Sequence, residues 1–100
     1  ALSQDPHRVR EISERSLEAA IGREVRAHRR QQGMTVADLA SATGLSIGML
    51  SKIENGITSP SLTTLQVLSH AFSTPITSFF RGFEERREVQ PVHAQALGME

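Results

Sequence analysis

The sequence predicts an all-α domain, a compact bundle of five short helices. Three observations predict it. Apolar residues recur at spacings of three and four in each structured stretch, not at the spacing of two that marks a strand. Thr35, Ser46 and Ser61 each stand just ahead of such a stretch, where a side-chain oxygen caps a helix. Gly33, Gly44 and Gly56 each stand just after one, where a left-handed residue ends it. The 100 residues are 38% apolar, enough for one compact core. Cys is absent, which excludes a disulfide framework and a thiolate metal site. No apolar run approaches a membrane span, and no signal-peptide pattern follows Ala1. A cytoplasmic protein is the expectation. The absence of Met at the start is compatible with a processed or cut chain.

Residues 1–15 are polar and charged. Asp5-Pro6 would open a helix well, with Asp as the cap and Pro at the first position. Only Val9 and Ile12 supply an apolar stripe, so the stretch is a solvated tail or an extension of the next helix, and the tail is favoured. The first firm helix spans 16–32, with Leu17, Ala20, Ile21, Val25 and His28 on one side and Arg23, Arg26 and Arg30 left for the surface. His28 is expected to fill a core edge rather than to bind a ligand. In the second helix Thr35 and Asp38 have the spacing of a capping box, and Gly44 is the stop. Ser46 opens a third helix running to Asn55-Gly56. Ile57-Thr58-Ser59-Pro60 is a turn. Ser61 opens a fourth helix, with Leu62, Leu65, Leu68 and Phe72 inward and Val67 off that stripe. Thr74-Pro75 opens a fifth, whose Ile76, Phe79 and Phe80 close the core. The domain thus runs from 16 to 80. Residues 81–100, with the cluster Glu84-Glu85-Arg86-Arg87-Glu88 and then Pro91, are a charged linker or tail.

The third helix points to function. At about 100° per residue, Leu50 and Ile53 share one side and can bury against Leu39, Ala40 and Leu45. Ile47, Gly48, Ser51, Lys52 and Asn55 share the other. A helix held along one edge, with its outer edge free, suits the DNA major groove. The formal net charge is zero, but Arg23, Arg26, Arg29 and Arg30 surround only Glu24, a local excess of three positive charges. From Gly33 to Phe80 the charged residues are Asp38, Lys52 and Glu54. Phosphate contacts there must rely on hydroxyls and amides, which predicts a shallow salt dependence.

The stretches RAHRRQQGMTVADLA, TGLSIGMLSKIENGITSPSLTTLQVLSHAF and ITSFF resemble the phage lambda repressor and Cro-like helix-turn-helix family. The resemblance runs from Ile21 to Phe80, and these stretches carry it. The chain also looks like the amino-terminal domain of bacterial regulators that carry a carboxy-terminal cupin effector domain. The resemblance implies base reading by Ile47, Gly48 and Lys52, with Ser51 and Met49 beside them. It implies phosphate contacts at Ser46 and Asn55, and an ion pair between Arg29 and Glu54. Arg23, Arg26 and Arg30 near the backbone, and Ser59 and Ser61 on phosphates, complete the expected docking surface. The chain departs from the family at Val36, where many relatives have a Gln that donates to phosphate.

The expected function is a sequence-specific, DNA-binding transcriptional regulator, a homodimer on an inverted repeat of double-stranded DNA. The alternative is a protein-interaction module that kept the fold and lost DNA affinity. Zero net charge, Val36, Ile47 and the weakly charged outer face favour that alternative. An enzyme is not expected. No Gly-rich phosphate loop, GxSxG or HExxH occurs, and His7, His28, His70 and His93 are too scattered for a metal site. No cofactor is expected. Val67 and Phe83, off the core stripe, are the candidate dimer contacts.

Overall fold

The computed structural model describes the backbone of residues 6–83 and the side chains of residues 16–83. Asp5 as a cap and the linker over 84–100 lie outside the described residues. Four α-helices follow one another: α1, Pro6–Gln31; α2, Val36–Thr43; α3, Ile47–Glu54; and α4, Leu62–Phe72. A 3-10 segment, Ile76–Phe80, takes the place of the expected fifth helix. Among the described residues there is no strand.

Helix α1 corrects the favoured view of the amino-terminal stretch, since residues 6–15 are helical and continuous with the rest. Once residues 16–31 have formed a helix, the nucleation cost is already met. Extension then needs only residues of ordinary propensity, behind a proline whose φ is preset.

The core is the set Ile21, Val25, Leu39, Leu50, Ile53, Leu65, Leu68, Phe72 and Phe79, drawn from every element. Helix α1 packs on α3, α4 and the 3-10 segment, while α2 packs on α3 and α4. His28 lies at the edge of this core, its ring stacked on Phe72 at 5.5 Å and edge-on to Phe79 at 5.7 Å. Two expected positions differ. Leu62 is 73% exposed rather than inward. It is the first residue of α4, and helical side chains lean toward the amino terminus, so this one leans past the edge of the core. Val67 is half-buried.

Side chains close the helix ends. Thr35 Oγ1 accepts from Asp38 N at 3.0 Å, and Asp38 Oδ2 accepts from Thr35 N at 2.9 Å, completing the capping box. Thr43 Oγ1 donates to Leu39 O at 2.7 Å and accepts from Leu45 N at 3.2 Å, which fixes the turn between α2 and α3. Gln32 Nε2 donates to Phe72 O at 3.0 Å and so satisfies a carbonyl at the end of α4.

One close approach sets the position of α3. A Cβ on Gly22 of α1 would lie 2.4 Å from Ile53 O and 2.7 Å from Glu54 O. At the same crossing Gly56, with φ +71°, would bring a Cβ to 3.0 Å from Ala19 Cα. Helix α1 therefore touches the last turn of α3 backbone to backbone, which only small residues permit.

Candidate nucleic-acid interface

The inner side of α3 is locked. Leu50 and Ile53 are fully buried, and Glu54 is 5% exposed. Arg29 Nε donates to Glu54 Oε2 at 2.7 Å and Arg29 Nη2 to Glu54 Oε1 at 3.0 Å, a two-pronged pair. Arg29 Nη1 also donates to Met34 O at 2.9 Å. One guanidinium thus ties α1, the loop before α2 and the end of α3 together. Its hydrogen bonds to Glu54 raise the Arg29 pKa further above its already high ordinary value, against the opposing effect of burial.

The outer side is open. Ser46 caps α3, its Oγ accepting from Met49 N at 3.0 Å, and the residue is exposed. Ile47 and Met49 are 54% and 43% exposed. Gly48, Ser51, Lys52 and Asn55, at relative positions 0, 3, 4 and 7, form one exposed stripe. Among the described residues Lys52 enters no ion pair. Asn55 ends the stripe. Its Oδ1 accepts from Arg26 Nη2 at 2.8 Å, and its Nδ2 lies 3.5 Å from Ser51 Oγ.

The expected docking residues divide into two groups. Arg23, Arg30 and Ser59 are exposed, as a phosphate contact requires. Arg26 is half-exposed but already engaged within the chain. Its Nε donates to Glu54 Oε1 at 3.3 Å, and its remaining reach goes to Asn55. Ser61 caps α4 and donates its proton to Thr64 Oγ1 at 3.0 Å, so the hydroxyl is already engaged. Val36 is half-buried against the core. Beside it the N–H of Thr35, followed by its side chain, holds the Asp38 carboxyl below its ordinary value. The start of α2 therefore presents a negative charge. Sequence reasoning missed the internal role of Arg26, because helical spacing places it on the same stripe as the exposed Arg23 and Arg30. It also missed Gly22. The only local signal there was the run of small residues Ala19, Ala20 and Gly22.

Comparison with known proteins matches this arrangement. The family profile described as Helix-turn-helix, HTH_3, matches residues 25–79. The HTH-type transcriptional regulator SlrR of Bacillus subtilis strain 168 is 35% identical over 91 residues, which is 80% of this chain and 60% of that protein. The HTH-type transcriptional regulator DdrOP3 of Deinococcus deserti is 35% identical over 60 residues, 60% of this chain and 46% of that protein. The chain thus spans about half to three-fifths of the length of these relatives. Among solved structures, the clp gene regulator ClgR of Corynebacterium glutamicum superposes with a TM-score of 0.65 at 28% identity, over 81% of this chain and 89% of that one. An HTH_3 family transcriptional regulator from Vibrio cholerae gives a TM-score of 0.65 at 26% identity, over 69% of this chain and 39% of that one. With an inner side locked by Arg29 and Glu54, an outer side left open, and a profile match over most of the described bundle, the chain belongs to the lambda repressor and Cro-like helix-turn-helix family.

Proposed function

We propose that the protein is a sequence-specific, DNA-binding transcriptional regulator that places α3 in the major groove. The exposed stripe Gly48, Ser51, Lys52 and Asn55, on a helix fixed from behind, is the observation that carries this. Lys52 reads a base edge, with guanine O6 and N7 as its natural acceptors. Ile47 and Ser51 line the same face. Ser46, Asn55, Ser59, Arg23 and Arg30 hold the phosphates, and Arg26 keeps the Asn55 carboxamide in place. A homodimer reads an inverted repeat, its two α3 helices roughly 34 Å apart, one turn of DNA. The protein works in the cytoplasm, on the nucleoid. A carboxy-terminal effector domain, of cupin type by the resemblance above, would set when it binds.

A second reading is an interaction module without specific DNA affinity. The carboxylate of Asp38 at the start of α2 favours it, since a phosphate approaching that helix end meets a negative charge. Selection from a random duplex pool, then binding of the winner at two salt concentrations, separates the two. An enriched inverted repeat, bound far more tightly than scrambled DNA, supports the regulator. Weak, salt-sensitive binding without enrichment supports the module.

A further inference from the structure

Each glycine of a helical bundle weakens it, because glycine loses the most backbone freedom on folding. Most glycines here have a structural reason. Gly33, Gly44 and Gly56 hold left-handed conformations. Gly22 lies against the carbonyls of α3. A Cβ on Gly82 would make ordinary contact, 3.9 Å from Ala20 and Glu24, away from the outer face of α3. Gly48 has no such reason. It sits in the first turn of α3 without a positive φ, and a Cβ there would meet nothing within 4 Å.

The gap has a defined setting. It heads the outer stripe, with Ile47 on one side and Met49 on the other, both exposed apolar side chains. A side chain is missing where two large apolar ones are left in water. The side chains at this place carry no group that sorts bases by hydrogen bonds. The one apolar group that base edges present in the major groove is the 5-methyl of thymine. We infer that Gly48 and Ile47 seat a thymine methyl against the backbone of α3, so that the missing Cβ is itself a determinant of sequence preference. This rests on the DNA-binding reading above. Lys52 lies one helical turn further on, about 6 Å along the axis. With base pairs about 3.4 Å apart, the thymine and the base read by Lys52 fall roughly two steps from each other.

The test uses the 100-residue chain and the site enriched from a random pool. Each thymine of the half-site is replaced in turn by deoxyuridine, which removes only the methyl. Binding to wild type and to Gly48→Ala is measured alongside the melting temperature of each protein. The expected result is a several-fold loss at a single thymine for wild type. Gly48→Ala loses about tenfold on the parent site, is indifferent to that uracil, and melts at the same temperature or higher. The uracil series on wild type is independent of how the variant folds. An enriched site at which every uracil is silent overturns the methyl contact. A uracil effect that Gly48→Ala leaves unchanged overturns the role of Gly48. In both cases the regulator reading stands. A pool that enriches nothing removes that reading, and this inference with it.

Discussion

The two ends of α3 are built by opposite rules. At its carboxy-terminal end the inner side is fully in contact. Glu54 takes three hydrogen bonds from two arginines of α1, and Gly22 lets the α1 backbone meet Ile53 O and Glu54 O. At its amino-terminal end Ile47, Gly48 and Met49 touch solvent, and a Cβ on Gly48 would touch nothing. A helix that must present a surface needs a rigid mount more than a stable surface. Here the tie to α1 is concentrated on the inner side of the last turn, while Lys52 and Asn55 stay exposed on its outer side and the first turn carries no such tie.

The largest effect should come from breaking the mount electrostatically. Arg29→Ala leaves the Glu54 carboxylate almost buried, with only Arg26 Nε at 3.3 Å to answer it. Removing one partner of a buried pair costs about 3–5 kcal/mol. The low end applies here, because Arg29 keeps some exposure. Urea unfolding should show a loss of about 3 kcal/mol. A loss under about 1 kcal/mol, typical of a surface pair, would mean that the pair does not hold α3.

The next effect is steric. Gly22→Ala places a Cβ at 2.4 Å from a backbone carbonyl, which cannot rotate away. The crossing must open, at a cost of about 1–3 kcal/mol. A thermal melt of this variant, beside one of Gly48→Ala, sharpens the comparison. Alanine should destabilise at position 22 and not at position 48. Equal losses would erase the distinction between the two ends.

These contrasts also show what was legible in the sequence. The caps at Thr35, Ser46 and Ser61, and the stops at Gly33, Gly44 and Gly56, depend on neighbours within a few residues and were readable directly. The core stripe was readable from helical period. Leu62 was not, because period says which face a residue shares but not whether the core reaches that far along the helix. Gly22 and Arg26 were not, because their partners lie about 30 residues away, and the small residues around Gly22 do not say what they meet. The pairing of Arg29 with Glu54 was accessible only through family resemblance, for the same reason. The outer face of α3 was legible as exposed. What it touches lies outside the chain.

The smallest effect lies at the start of α2, away from the mount. The Thr35 N–H holds Asp38 below its ordinary value of 3.8. A carboxyl depressed in the folded state contributes stability above its ordinary value. That contribution is lost as pH falls through the depressed one. The stability difference between wild type and Asp38→Ala should therefore be constant from neutral pH down to about 5, and should vanish in stronger acid. A difference that grew on acidification would show that the carboxylate is not the group being stabilised.

Base reading by the outer face of α3 is tested most directly by Lys52→Ala. Lys52 is exposed and outside every ion pair among the described residues, so its removal should leave folding intact. Binding of this variant is measured on the enriched site and on scrambled DNA at the same salt. Binding should weaken by about 1–3 kcal/mol on the enriched site and by much less on the scrambled duplex. Equal losses on both would make Lys52 a phosphate contact and contradict its base-reading role.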